Sequence, residues 1–308
     1  FTSGGTESNN WAIKSSVFPD AKMRTIITSK IEHHAVLNTC AAIELLGYPV
    51  TYLPVTDDGI VQPEKLSQYI TDNTRLVSIM LANNEIGTIE PIKELARIAH
   101  EHGTLFHTDA VQAVGHIPIN VKELDVDMLS ASAHKFNGMK GSGFLYIRKG
   151  VELHPYADGG SQEHGRRGGT ENVAAIVAMA VALKKNCNRM EESSQRLRKL
   201  EKILLDTLTF AGIEYRRNGN SYHLPGNVNI SIKGADGEML LHRLDLKGIC
   251  ISTGSACDSV NARVSHVIEA IHVPEEYAKG TIRISFGVEN TEEEALAIAE
   301  ALLGILRK

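Results

Sequence analysis

The sequence MLSASAHK at residues 128–135 decides the fold, because a short apolar run ends in small residues and then in a lysine. Such a run is typical of a buried strand in a parallel sheet. Ligands of α/β proteins gather at the carboxyl ends of the strands. Lys135 is therefore predicted to lie at a binding site, where a partly desolvated amine can bond an aldehyde cofactor. A solvated loop lysine is the alternative, and Lys140 suits that description.

On both sides of this stretch, short apolar runs alternate with helical patterns over the first two-thirds of the chain. This alternation predicts an α/β fold with a mostly parallel sheet and helices on both faces. The predicted helices cover residues 34–46, 63–70 and 92–102, and the predicted strands cover 24–28, 50–54, 76–81, 105–107, 128–131 and 143–147.

The pattern changes near Asn186. One long charged amphipathic helix is predicted at 190–210, closed by a glycine. An α+β arrangement follows, so we expect a large domain at 1–190 and a small domain at 191–308. The predicted elements of the small domain are strands at 227–232, 249–252 and 281–286, and helices at 237–244 and 291–306.

Composition narrows the classes of function. A net charge of -5 and a pI near 6.2 argue against a nucleic-acid partner, which usually demands a basic face. No apolar run approaches the ~18 residues that a membrane span needs. The four cysteines form no C-x-x-C pair, so a zinc ribbon is not expected. Without a secretory signal, we expect reduced thiols in the cytoplasm.

The sequence LFHTDAVQ at 105–112 places an acid just past another predicted strand. Pyridoxal phosphate (PLP) acts as an electron sink when its ring nitrogen stays protonated, and a buried carboxylate holds that proton. Asp109 suits this position, and Gln112 can reach the phenolic oxygen of the ring. The alternatives are a helix N-cap for Asp109 and a surface amide for Gln112.

Three further motifs carry polar groups that suit a phosphorylated planar cofactor. TSGGTESNN at 2–10 is a glycine turn that opens a helix, where backbone N–H groups and the Thr6 hydroxyl favour a phosphate. EHHAV at 32–36 offers an imidazole that can stack on the ring and move protons. A metal site there is discounted, because adjacent histidines do not face one site on a helix. NNEIG at 83–87 offers amides for the cofactor or a substrate carboxylate, with an ordinary turn as the alternative.

Together these segments resemble the NifS/IscS-like cysteine desulfurases of the class V aminotransferase fold. The resemblance rests on eight stretches, which occur in the family's order over nearly the whole chain. They are TSGGTESNN, TSKIEHHAVL, NNEIGTIEPI, HTDAVQAVG, SASAHKFNGMKGSG, GGSQEHGRRGGTENV, STGSACDS and TIRISFG. The resemblance implies PLP-dependent transferase fold type I, with a mostly parallel seven-stranded sheet and a smaller C-terminal α+β domain. The family's D-N-A-A-T-T-like stretch has no counterpart here, so we expect an N-terminal part to be missing.

The resemblance also implies roles for individual residues. Lys135 would carry the cofactor, Asp109 would pair with the pyridinium nitrogen, and His33 would stack on the ring and carry protons, with His34 structural or exposed. The family is homodimeric, and the threonine that matches Thr170 reaches the phosphate of the partner subunit. The implied cofactor-binding residues are Gly5, Thr6, His33, Asn84, Asp109, Gln112, Ser132, His134, Lys135 and Thr170, with no metal ligand.

Cys257 matches the family's nucleophile in its S-G-S-A-C loop, and Arg283 would clamp the substrate carboxylate together with Asn84. The implied reaction converts L-cysteine to L-alanine and leaves a persulfide on Cys257. The spacing from Cys257 to the sequence SHV at 265–267 is similar to that of the longer-loop group, which serves iron–sulfur assembly. A sulfur-acceptor protein such as an iron–sulfur scaffold is therefore an expected partner. Selenocysteine lyase, class V aminotransferase and non-catalytic assembly scaffold remain the alternatives.

Overall fold

In a computed structural model, the structure describes residues 1–18, 23–254 and 264–307. The chain forms two compact units. Unit 1 comprises Phe1–Val55, Val61–Asn83 and Glu90–Met190, and unit 2 comprises Thr56–Ile60, Asn84–Ile89 and Glu191–Lys308. The single domain boundary predicted at residue 190 does not include the two short segments of unit 2 that lie within the first hundred residues.

Unit 1 is built on a six-stranded sheet in the order β2-β1-β3-β4-β5-β6. The strands β1 to β5 are parallel, and β6 runs antiparallel to β5. Their bounds are β1 Thr25–Ser29, β2 Val50–Leu53, β3 Thr74–Ser78, β4 Leu105–Asp109, β5 Met128–Ser132 and β6 Gly143–Ile147.

The expected mostly parallel sheet flanked by helices is confirmed, but the expected seventh strand is not found in the part of the chain that the structure describes. Beyond β6 the sheet continues only as a one-residue bridge between Thr2 and Gly143. Two backbone hydrogen bonds of 3.0 and 2.9 Å join these residues, and helix α1 then begins at Gly5, so the chain leaves the sheet edge at once.

Helices cover the apolar surface of this sheet. Ile13 of α1 and Val36 of α2 pack with Ile26, Leu76 and Met128 of the strands, all of them fully buried. Burying each such side chain contributes about 1.5–3 kcal/mol. The helices that begin in unit 1 are α1 Gly5–Val17, α2 His34–Glu44, α3 Pro63–Tyr69, α4 Ile92–Glu101, α5 Val121–Leu124, α6 Gln162–Gly165 and α7 Val173–Phe210.

Unit 2 carries a three-stranded antiparallel sheet in the order β7-β8-β9, with β7 Tyr215–Arg217, β8 Asn227–Ile232 and β9 Thr281–Ser285. Its core joins this sheet to leucines of α7 and to the apolar faces of two further helices. A capping box of Thr291 and Glu294 opens the last helix. The helices are α8 Gly237–Asp245, α9 His266–Ala270, α10 Glu275–Ala278 and α11 Glu292–Leu306.

Two expected elements differ from the structure. Helix α7 begins at Val173 rather than near residue 190, because the apolar stretch at residues 173–183 belongs to the same helix. The strand expected at 249–252 is reduced to one bridge between Ser252 and Arg283. None of the helices in the described ranges is long and apolar enough to cross a membrane.

Candidate active site

Asp109 ends β4 and lies almost fully buried, with 4 % of its surface exposed. Its Oδ2 accepts a hydrogen bond of 2.6 Å from Asn9 Nδ2, and its Oδ1 accepts one of 2.9 Å from the backbone N–H of Val111. Burial raises the pKa of Asp109, while these two hydrogen bonds and the charges of His33 and Lys135 lower it. The pKa of Asp109 remains above its ordinary value, and a cation placed against this carboxyl would lower it.

Lys135 lies in a short 3-10 helix, Ala133–Phe136, directly after β5. Its backbone carbonyl is 2.8 Å from Nε2 of His116, and the next carbonyl, of Phe136, accepts from Asn186 Nδ2 at 2.8 Å. The side chain is exposed in the single chain rather than partly desolvated, because this turn lies beyond the end of the sheet. The lysine charge nevertheless acts on Asp109, so the structure brings these two predicted residues into one electrostatic neighbourhood.

His33 is the N-cap of α2, and its Nδ1 accepts a 3.0 Å hydrogen bond from the backbone N–H of Ala35. A neutral imidazole whose Nδ1 accepts must carry its proton on Nε2. The cap therefore fixes the position of the ring and turns Nδ1 towards the backbone of α2. His34 begins the helix beside it, with the two rings edge to face at 6.4 Å between centroids.

Glu32, the residue before His33, is fully buried and holds the start of this turn. Its Oε1 accepts from Ser29 Oγ at 2.7 Å and from the backbone N–H of Met80 at 3.0 Å. Burial raises the pKa of Glu32 to about 8, and the nearby charge of Asp109 also raises it. Glu32 is consequently protonated at neutral pH and adds no negative charge that would compete with Asp109.

The glycine turn of α1 comes close to the end of β5. Gly4 adopts a φ of +152°, and a Cβ atom there would lie 3.4 Å from Ser132 Oγ. A Cβ atom at Gly5 would lie 2.5 Å from Val111 Cγ2, so only glycine allows this approach. Because first-turn N–H groups of a helix have no partner within the helix, this end of α1 suits an anion.

Ser132 and His134 stand beside this turn, with Ser132 Oγ 3.0 Å from His134 Nδ1. Partial burial and the charges of Lys135 and Lys140 lower the pKa of His134, so its ring is neutral near pH 7 and offers one N–H. Thr6 is exposed and lines a cavity of about 330 Å³ with His33. Neither Asp109 nor Lys135 lines this cavity.

His107 in the middle of β4 ties three strands together. It is fully buried, with Nδ1 2.8 Å from Ser78 Oγ of β3 and Nε2 2.9 Å from Ser130 Oγ of β5. Burial lowers the pKa of His107 to about 3, so the imidazole is neutral. This ladder aligns the strand ends that carry Asp109 and Lys135.

The loop before α7 is fixed to α1 by an ion pair. Arg167 donates from Nε to Glu7 Oε1 at 2.9 Å and from Nη2 to Glu7 Oε2 at 3.2 Å. Glu7 also accepts from the hydroxyl of Ser3, and these hydrogen bonds lower its pKa against the effect of burial. Thr170, three residues after Arg167, is exposed.

Unit 2 holds two other predicted residues together. Arg283 of β9 donates from Nη1 to the backbone carbonyl of Asn84 at 3.0 Å. Its buried Nε has no hydrogen-bond partner among the residues that the structure describes. Burial lowers the pKa of Arg283, and the charge of Glu85 raises it. This arrangement leaves a buried guanidinium donor available to an anion.

Cys257 lies outside the described residues. Gln112 is half-buried in the turn after Asp109, where a group facing a ring edge is expected. The sequence analysis assigned no role to Asn9, Glu7 or Glu85, although all three belong to the quoted motifs. Their partners lie 100 or more residues away, and only the folded chain reveals such pairs.

The chain is similar to known proteins in sequence and in fold. The model of the family Aminotransferase class-V matches residues 1–298. Cysteine desulfurase IscS of Dictyoglomus turgidum is 50% identical over 100% of this chain and 79% of its own length, and the IscS of Methanosarcina thermophila is 50% identical over 100% and 76%. A solved NifS-like protein is 40% identical, with a TM-score of 0.92 over 99% of this chain and 81% of its own. A structure of SspA in complex with cysteine is 36% identical, with a TM-score of 0.81 over 94% and 81%.

Proposed function

We propose, from the premise that this chain belongs to the class V aminotransferase family, that it is a PLP-dependent cysteine desulfurase. It converts L-cysteine to L-alanine and leaves a persulfide on Cys257. The observation that carries the proposal is the 50% identity, over the whole chain, to proteins named cysteine desulfurase IscS. Class V aminotransferases as a family depend on PLP.

The residues of unit 1 suit that cofactor. Asp109 is a buried carboxyl whose raised pKa would fall against a protonated ring nitrogen. Asn9 Oδ1 and Thr108 Oγ1 are buried polar atoms without a hydrogen-bond partner in the described ranges, and a polar ligand would satisfy such atoms. Gly5 packs closely against Val111 at the start of α1. The backbone N–H groups of this first turn suit a phosphate.

Each residue then has a definite task. When bound, PLP supplies an electron sink that allows the α-carbon of the substrate to lose a proton. Lys135 would hold the cofactor and would accept a proton at Nζ. Asp109 would keep the ring nitrogen protonated, and Gln112 would contact the phenolic oxygen. His33, held by its N-cap hydrogen bond, would stack on the ring and carry protons. Gly5, Thr6, Ser132 and His134 would hold the phosphate.

Substrate recognition falls to unit 2. The Nε of Arg283, which has no hydrogen-bond partner among the described residues, can bind the substrate carboxylate together with an Nη group in a bidentate manner. Asn84, whose carbonyl already orients this guanidinium, contributes its amide to the same site. The Cys257 thiolate would attack the sulfur of the substrate, and the electron pair of the broken Cβ–S bond would stay on Cβ. Cβ would take up one proton, and the proton that left the α-carbon would return to it, which completes alanine. The sulfur then passes to an acceptor protein such as an iron–sulfur scaffold.

The working form is proposed to be a homodimer in the cytoplasm, where a reducing environment preserves the thiol that the reaction needs. Thr170 is exposed, as a residue that serves the phosphate of a partner subunit would be in the single chain. Val173, Val177 and Val181 are 64%, 56% and 63% exposed and lie at helical spacing on α7 next to it. Sedimentation should give a dimer, and Val177→Glu should shift it towards monomer with loss of bound PLP. A monomeric wild type that binds PLP would contradict this part.

The test of the function is incubation of PLP-loaded protein with L-cysteine. Alanine should form, and the Cys257 peptide should gain one sulfur atom. Cys257→Ser should keep the visible absorbance of the bound cofactor and form no alanine. If Cys257→Ser instead keeps full activity with a keto-acid acceptor, the protein is an aminotransferase. If the wild type binds no PLP, the result favours the alternative of a non-catalytic assembly scaffold.

A further inference from the structure

Glu85 is hydrogen-bonded to Ser265 and lies close to Gly254, and these two residues stand on either side of the segment carrying Cys257. Ser265 Oγ donates to Glu85 Oε2 at 2.6 Å, and the same hydroxyl caps α9 by accepting from the N–H of Val267 at 3.1 Å. On the other side, a Cβ atom at Gly254 would lie 3.6 Å from that carboxylate oxygen and 3.6 Å from Ser265 Cβ. One buried oxygen therefore lies between the two flanking positions.

The incoming end is also joined to Arg283. The backbones of Ser252 and Arg283 form an antiparallel bridge with hydrogen bonds of 3.0 and 2.6 Å. Ser252 Oγ donates to the carbonyl of Gly254 at 2.9 Å, which shapes the turn that meets Glu85. Arg283, which is proposed to bind the substrate carboxylate, is thus joined through its backbone to Ser252, near the start of the cysteine segment.

Glu85 itself is rigidly held. It is fully buried, and its backbone carbonyl accepts from Asn229 Nδ2 of β8 at 3.2 Å. Two residues later, Gly87 has a φ of +75° and its carbonyl accepts from the N–H of Leu224 at 2.9 Å. The charge of this buried carboxylate acts on half-buried Arg283, and a buried charge is unfavourable unless it is paired.

We propose that Glu85 is a positioning residue that sets both ends of the cysteine segment relative to Arg283. The inference rests on the proposed function, because it concerns the geometry between Cys257 and the substrate. Its single carboxylate performs two separable tasks. The hydrogen bond to Ser265 holds the N-cap of α9, which follows the segment, and the negative charge offsets part of the charge of the guanidinium.

The two tasks predict different results for two variants. Ser265→Ala removes the hydrogen bond and leaves the charge, so kcat for alanine formation should fall about fivefold to tenfold with KM unchanged. Glu85→Gln removes the charge and weakens the bond, so kcat should fall similarly. Its Arg283 then attracts a carboxylate more strongly, and L-alanine should bind about threefold tighter, as measured through the visible spectrum of the bound cofactor. Ser265→Thr, which keeps the hydroxyl, should restore the wild-type rate.

A second readout needs no turnover. The rate at which iodoacetamide alkylates Cys257, followed on its peptide by mass spectrometry, should rise about fivefold in Ser265→Ala and in Glu85→Gln. Thr291→Ala is the matched control, because it removes another hydroxyl N-cap of unit 2, one that pairs with Glu294. It should alkylate at the wild-type rate.

Wild-type alkylation and turnover in both variants, or the same changes in Thr291→Ala, would overturn the role of Glu85. Should Glu85→Gln fail to fold, the pair Ser265→Ala and Ser265→Thr still decides the matter. A wild type that forms no alanine would contradict the proposed function instead, and the alkylation rates would then judge Glu85 independently.

Discussion

Asp109 sets the chemical requirement for a ligand of unit 1. A carboxyl that is 4 % exposed and receives two hydrogen bonds lies in a place where charge is costly. The neighbouring charges of His33 and Lys135 partly compensate that cost. A cationic ring nitrogen complements the carboxyl better than a neutral group would.

Asp109→Asn tests this requirement. Asparagine keeps the shape and can still accept from Asn9, but it cannot hold a proton on a ring nitrogen. Alanine formation should fall on the order of a hundredfold, the size typical of losing one buried electrostatic contact in catalysis. Steady-state assay of PLP-loaded protein measures it, with Asp72→Asn as a control for an exposed aspartate. Equal activity of wild type and Asp109→Asn would contradict the role.

His107 links strand β4 to its two neighbouring strands through hydrogen bonds to the hydroxyls of Ser78 and Ser130. His107→Leu leaves the hydroxyls of Ser78 and Ser130 buried without their present partner. The free energy of unfolding should fall by about 3 kcal/mol, since each unsatisfied buried group costs about 1–3 kcal/mol. Urea denaturation gives the value. Adding Ser78→Ala and Ser130→Ala should recover part of the loss, and a further loss in that triple variant would contradict the explanation.

A second histidine links α4 to the turn before β5. His100 has Nε2 2.8 Å from Asp127 and Nδ1 3.1 Å from Asp125, and Arg148 contacts both aspartates. The Asp127 hydrogen bond raises the pKa of His100 against partial burial. A raised folded-state pKa means that the stabilisation is complete below the unfolded value of about 6.5 and is lost as the pH rises through the folded value.

His100→Gln therefore lowers thermal stability in a pH-dependent way. The difference in Tm between wild type and variant should be larger near pH ~6 than near pH ~9, because only the protonated imidazole gains from both carboxylates. Differential scanning calorimetry at the two pH values, with His102→Gln as the exposed neighbour, measures the effect. A difference in Tm that grows with pH would have the wrong sign for this explanation.

For the whole molecule, the sequence predicts most strands of unit 1 because buried parallel strands are continuous apolar runs bounded by glycine and polar residues. The positions of Asp109 and Lys135 follow, since both come directly after such runs. Backbone hydrogen bonds to distant residues leave no such pattern. The inclusion of Asn84–Ile89 in unit 2 depends on contacts of this kind with Leu224 and Asn229.

Other features depend on packing that a single sequence does not reveal. The expected strand at 249–252 has alternating residues, yet only Ser252 pairs with β9. The early start of α7 at Val173 lies in apolar sequence whose helical or strand period is ambiguous. The eight motifs contain Glu32 and Glu85, but nothing in a single sequence indicates that these two carboxyl groups are buried and hydrogen-bonded.

The central claim is that Lys135 and no other lysine bonds the cofactor that Asp109 complements. Borohydride reduction of the PLP-loaded protein fixes that bond, and peptide mass mapping then locates it. We expect a pyridoxyl group on Lys135, unchanged in Lys140→Ala and lost in Lys135→Ala. A pyridoxyl group on Lys140, or its persistence in Lys135→Ala, would contradict the assignment of Lys135.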